Sequence, residues 1–242
     1  MTQRANVVDL AGNPRRRRRE QAIRWGFLAA GLSSILVSLG IVVTLTGEAV
    51  RFLSHIDLHL LWEDGWFPRR GEFDIRTLVV GTLLTTAVAM AVATPLGLGA
   101  AVYLAEYARP GVRKVLKPTL EVLAGIPSVV LGFFALTWIS PEIVKRIWSD
   151  AEGFNLAAAG IGIGILVTPL VASIAEDAMR AVPRSLREAS YGLGARKVTT
   201  SVRVVFPAAI SGIVAALVIA VSRAIGETMV VAIAAGDRAA RC

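Results

Sequence analysis

Long runs that stay apolar on every face constrain this chain most, because such runs leave no polar side for water. ILVSLGIVVTL, at 35–45, and AALVIAVS, at 215–222, are examples. A helix needs roughly 20 residues to cross the hydrocarbon core of a bilayer. Five stretches reach that length, at about 23 to 50, 77 to 104, 119 to 140, 157 to 176 and 205 to 235. Strands of a membrane barrel would alternate strictly over roughly 10 residues, and these runs do not. The expected fold is therefore all-α, a polytopic transmembrane helical bundle of about five spans. Composition agrees, with 55% hydrophobic and only 18% charged residues among 242 and a mean hydropathy of +0.62. Pro95, Pro127 and Pro169 fall inside the runs. Each is expected as a kink, since bundled membrane helices re-satisfy the carbonyls that proline frees.

Orientation follows from the distribution of Lys and Arg. Seven lie in the first 24 residues, four between Arg109 and Lys117, and six between Arg180 and Arg203, all on one side of the spans. The other side carries Arg51, Arg69, Arg70, Arg76, Lys145, Arg146, Arg238 and Arg241. The richer side is expected to be cytoplasmic, N-terminus included. The net charge of +8 then reads as membrane-flanking charge rather than a nucleic-acid surface, because no aromatics alternate with the basic residues. RRRRRE serves topology on this reading. The first apolar stretch exceeds the roughly 7 to 15 residues of a signal-peptide core and lacks a small-residue cleavage site after it, so it is expected to be retained.

An outer segment, RFLSHIDLHLLWEDGWFPRRGEFDIR, joins spans one and two. Trp62, Trp66 and Phe67 suit the membrane interface. His55, Asp57 and His59 raise a metal reading, but no third ligand is fixed by spacing, so no metal site and no cofactor is assigned. Cys242 is the single cysteine, which excludes an internal disulfide. No covalent chemistry, and so no enzyme, is expected.

REASYGLGARKVTTSVRVVFPAAISGI follows span four on the basic side. Ala189, Ser190, Gly192 and Gly194 permit close approach to another surface, and Arg187, Glu188 and Arg196 supply charge for docking. GLGARKVTT lacks the spacing of a phosphate loop, so ATP, if used, must bind another chain. Glu188-Ala189-Ser190, Gly194 four residues after Ser190, then Val204, Phe206 and Pro207, resemble the EAA loop of ABC importer permeases. Ser, Val and Phe replace Ala, Ile and Leu of that pattern. PLGLGAAVYLAEYA, EVLAGIPSVVLGFFAL and SRAIGETMVVAIAAG together resemble phosphate-specific permeases of the PstC type, from about residue 77 to Gly236.

The resemblance implies a permease subunit of the inner (cytoplasmic) membrane that moves inorganic phosphate inward. It also implies a second homologous permease, cytoplasmic ATP-binding subunits on the EAA loops, and an external phosphate-binding protein. The chain then divides into a basic tail at 1–22, a first span with its outer segment at 23–76, a permease core at 77–236 with the EAA loop at about 180–207, and an atypical end at 237–242. Family members normally continue beyond AIAAG into a further span, so C-terminal truncation is expected, and with it the alternative of an inactive fragment.

Arg223 and Glu227 stand inside the fifth apolar stretch, Arg223 16 residues beyond Pro207, or roughly 24 Å along a helix. An Arg at the bilayer centre costs about 2.5 to 3.5 kcal/mol on insertion scales. Glu227, one turn on, shares its face and offsets part of that cost. A structural ion pair is the plain reading. The functional one, favoured by the resemblance, has the Arg223 fork bind passing phosphate while Glu227 holds it when the path is empty. Thr85, Thr86 and Ser173 are left to bond their own helices, and Glu176 and Asp177 are read as interfacial. Another oxyanion (sulfate, molybdate or phosphonate) and a non-transporting membrane scaffold are the rival functions.

Overall fold

The computed structural model describes residues 14–55, 62–67 and 72–236. The chain forms two units, 1–60 and 61–242. The first contributes one helix, α1 (Pro14–His55), 42 residues long. Its apolar residues from Ile23 to Leu53 are exposed within the unit, as suits a helix that meets lipid. Hydroxyls along it are satisfied locally, Ser33 donating to the Ala30 carbonyl at 2.9 Å and Thr44 to that of Gly40 at 2.8 Å. That back-bonding lets a polar group enter hydrocarbon without an unpaired donor.

The second unit opens with a short antiparallel hairpin, β1 (Trp62–Phe67) and β2 (Glu72–Asp74). The hairpin is confined to the outer segment, and every other described element is helical, as the all-α expectation has it. Asp74 ends the hairpin and caps α2 (Ile75–Tyr107), accepting from the backbone N–H groups of Arg76 at 2.9 Å and Thr77 at 3.2 Å. An aspartate there satisfies two of the donors a helix start leaves unpaired. The last turn of α2, Tyr103–Tyr107, winds as a π-helix.

Then come α3 (Pro110–Ala124), α4 (Ser128–Ile147), α5 (Leu156–Ala181), α6 (Arg184–Gly192), α7 (Lys197–Ala208), α8 (Ile210–Ile225) and α9 (Met229–Ala234). Among the described residues, α1, α2, α4 and α5 are each long and apolar enough to cross a membrane, and α7 with α8 makes a fifth candidate bent by 71°. The bundle is built around α5. Gly160 and Gly164, one turn apart, press against α2 so closely that a Cβ would lie 2.7 Å from Val88 Cβ at the first and 2.8 Å from Val92 Cβ at the second. Without hydrophobic drive between helices in lipid, such small-residue contact supplies the packing. Ala89, Ala93, Ile163, Val167, Val171 and Ala220 fill the interior beside it.

Two expected spans are corrected. The third, 119 to 140, is not one helix. Gly125, Ile126 and Pro127 interrupt it, residues up to Ala124 belong to α3, which buries none of its side chains, and the span runs instead over Ser128–Ile147. The fifth, 205 to 235, breaks twice, at Ala209 and at Gly226–Thr228. Of the prolines expected as kinks, Pro127 marks a break, whereas α2 and α5 continue through Pro95 and Pro169.

Candidate functional site

The second break of the fifth stretch determines what its two charges do. Helix α8 ends at Ile225, and the Gly226 and Glu227 N–H groups close the turn onto the Ser222 and Ala224 carbonyls at 3.1 and 3.3 Å. Glu227 therefore sits at a helix end, its side chain 6% exposed, while the Arg223 side chain is 54% exposed. Of the two charges read as a pair, Glu227 is buried and Arg223 points away from its own bundle. Nη2 of Arg223 stands 4.0 Å from Oε2 of Glu227, a charge contact too long for a hydrogen bond. The guanidinium thus keeps its fork of N–H donors open on the exposed side.

Glu227 faces a separate cavity of 310 Å³, shared with Thr77, Thr82, Thr85 and Thr228. Thr82 and Thr85 donate their hydroxyls to the Leu78 and Gly81 carbonyls at 2.8 and 2.7 Å. Their hydroxyl hydrogens are thus used within their own helix, and the Glu227 carboxylate adds negative charge to the cavity.

At the opposite end of the core, α6 and the start of α7 form the loop read as a docking element. Gly194 closes α6 at φ +77°, a left-handed conformation that side chains disfavour, with its N–H on the Tyr191 carbonyl at 2.9 Å. Glu188 and Ala189 are exposed, and the Ser190 hydroxyl meets that of Thr200 at 2.9 Å. Serine in place of alanine thereby braces α6 against α7. Leu186, Tyr191 and Val198 are exposed too, and Leu193 is 90% exposed, an apolar surface on an otherwise charged loop. Pro207 lies on the last turn of α7, just before the 71° bend.

Arg187 was grouped with the docking charges and is corrected: its guanidinium is used inside the fold. Nε and Nη2 donate to Oε1 of Glu106 at 3.2 and 3.0 Å, Nη1 to the Val182 carbonyl at 2.6 Å and Nη2 to that of Met179 at 2.8 Å. One side chain so ties α6 to the ends of α2 and α5. Glu176 is also corrected, from interfacial to fully buried at 0% exposure. Nζ of Lys117 is 3.0 Å from its Oε2, Nη2 of Arg113 is 2.6 Å from Oε1 at an angle too poor for a hydrogen bond, and Nη1 of Arg180 is 3.8 Å away. Lys117 also pairs with Asp177. Sequence reasoning missed these clamps; the acid within AVYLAEYA and the spacing Arg113-x-x-x-Lys117 were the available signals.

Burial pulls the Lys117 ammonium toward a lower pKa, but hydrogen bonds and charge attraction from Asp177 and Glu176 outweigh it and hold the group above its ordinary 10.5. As for metals, Asp57 and His59 lie outside the described residues, and among those described no cluster of three or more His, Cys, Asp or Glu is placed to hold one.

Several helices long and apolar enough to cross a membrane, packed around α5, make this a multi-pass membrane protein. The family model for the inner membrane component of binding-protein-dependent transport systems matches residues 93–239, and the chain belongs to that family. It is 31% identical over 232 residues to a probable ABC transporter permease protein, YqgH, of Bacillus subtilis, covering 92% of this chain and 74% of that one. Against the phosphate transport system permease protein PstC of Mesorhizobium japonicum it is 30% identical over 227 residues, covering 86% and 69%. Against PstA 1 of Mycobacterium tuberculosis it is 37% identical over 174 residues, covering 71% and 54%. The chain is an ABC transporter permease subunit, similar to permeases of the PstC type.

Proposed function

We propose that this subunit moves inorganic phosphate into the cell across the inner membrane, powered by ATP hydrolysed on partner subunits. The observation that carries this reading is the open Arg223 fork on an apolar helix, backed by a carboxylate 4.0 Å away. A planar guanidinium matches two oxygens of a phosphate at once and stays charged at any working pH. Phosphate transport permeases among the relatives support the choice of anion.

Because Arg223 projects from its own bundle, this chain supplies half of a path. A second homologous permease walls the other half, and an external binding protein delivers the anion. Glu227 offsets the charge of Arg223 while the path is empty and yields when phosphate arrives. The end bearing α3, α6 and α7 faces the cytoplasm, following its excess of Lys and Arg. There Glu188, Ala189 and the exposed Leu193 dock an ATP-binding subunit, and Arg187 transmits its movement to α2 and α5. Gly194 shapes that loop, and Pro207 starts the bent pair that leads to Arg223.

Uptake of labelled phosphate by the assembled complex tests the reading. Arg223→Gln is expected to abolish uptake while leaving assembly intact; unchanged uptake contradicts the role. Glu188→Lys is expected to lose the copurifying ATP-binding subunit, and its retention contradicts the docking site.

A further inference from the structure

We infer that the cleft between the end of α2, α3 and the start of α6 binds the phosphate group of an anionic phospholipid. Its volume is 730 Å³, and Arg113, Lys114, Lys117, Arg180, Arg184 and Arg187 line it. That volume falls within the roughly 300 to 1,000 Å³ of sites for drug-sized ligands and far exceeds what inorganic phosphate fills. Four carboxylates stand against the six cations: Glu121 in the lining, and Glu106, Glu176 and Asp177 paired with cations of the cleft. Lys114 and Arg184 are exposed and form no ion pair among the described residues. They are the charges left over for a ligand.

Helix α3 argues for a lipid. It buries no side chain, and Val112, Val115, Val122 and Leu123 make one exposed apolar stripe. Arg113, Lys117 and Glu121 occupy the other face at helical spacing. The helix follows the end of one span, α2, and precedes the start of another, α4, the place where an amphipathic helix lies in the bilayer interface. The valine stripe then holds α3 in the interface while the headgroup phosphate enters the basic cleft on its other face, whose lining also includes the apolar Leu104 and Pro118. Basic pockets at the membrane boundary of helical bundles bind anionic headgroups in this way. Since Arg184 and Arg187 belong to α6, the lipid touches the element proposed to dock the ATP-binding subunit. The inference does not depend on the transported cargo.

The test is native mass spectrometry of the purified full chain, titrated with dioleoylphosphatidylglycerol or dioleoylphosphatidylcholine. The wild type is expected to retain phosphatidylglycerol preferentially. The double variant Lys114→Gln with Arg184→Gln is expected to lose about thirtyfold in that affinity, from roughly fivefold per cation near an anionic headgroup. The charge-matched double variant Arg196→Gln with Arg203→Gln, outside the cleft, is expected to bind as the wild type does. Equal retention of both lipids overturns the inference without reliance on any variant, as does an equal loss in the two double variants. Displacement of the lipid by millimolar inorganic phosphate assigns the cleft to a free anion and also overturns it.

Discussion

Glu176 shows how one side chain can organise an end of the bundle. A carboxylate with no exposure must find cations, and Arg113 and Lys117 reach it from a helix some sixty residues earlier in the chain. Without the Glu176 charge Arg113 loses its partner while Lys117 keeps Asp177, and the cations are about a quarter or more exposed. Glu176→Gln is therefore expected to lower stability, by less than the about 3 to 5 kcal/mol of a fully buried broken pair, measured as a fall in thermal midpoint in detergent. An unchanged midpoint contradicts the clamp. The pH dependence has a definite sign. Lys117 has a raised pKa in the fold, so its contribution is complete below its ordinary 10.5 and is lost as pH rises through the raised value. The midpoint is expected to be unaffected by this group from neutrality up to about its ordinary 10.5 and to fall from there through the raised value, a fall that Lys117→Met removes. The Arg113-x-x-x-Lys117 spacing was visible locally, but nothing near it pointed to Glu176. Position at the end of an apolar run suggested a solvated Glu176, and only the return of α3 over that end buries it. For Arg223 the sequence reading did not give the direction of the side chain, because it carried one helix through the turn at Gly226 that separates it from Glu227.

Among the elements, the long apolar runs were legible because lipid leaves a chain few ways to satisfy its backbone. Their breaks were not. Pro127 ends the Gly125–Pro127 interruption, yet Pro95 and Pro169 sit in helices that continue, so proline alone does not place a break. Contact between α2 and α5 decides more. A side chain at Gly164 meets Val92 Cβ at 2.8 Å and the Ala89 carbonyl at 2.9 Å, whereas one at Gly192 meets nothing within 4 Å. Gly164→Val is therefore expected to cost about 1 to 3 kcal/mol or to prevent folding, with Gly192→Ala close to neutral, compared by thermal midpoint and yield. The hairpin of Trp62–Phe67 with Glu72–Asp74 escaped the reading because a short outer segment rich in aromatics suits an interface equally well in either conformation.

At the scale of the whole molecule, the two charged sites lie at different places in the bundle and are joined by α8, α5 and α2. The Arg187 clamp ties the loop helix α6 to the ends of α2 and α5, and α8 packs against both on its way to Arg223. Movement at the loop thus has a continuous packed route to the open guanidinium. An exposed Arg in a membrane helix is tolerable only where water, an anion or a partner meets it, and under the proposed function that place is the path shared with a second permease. Chemical accessibility of position 223 tests this most directly. In the assembled complex carrying Arg223→Cys and Cys242→Ser, a membrane-impermeant sulfonated methanethiosulfonate is predicted to label the new thiol. Labelling by a lipid-soluble maleimide alone would place the position against hydrocarbon and contradict the account.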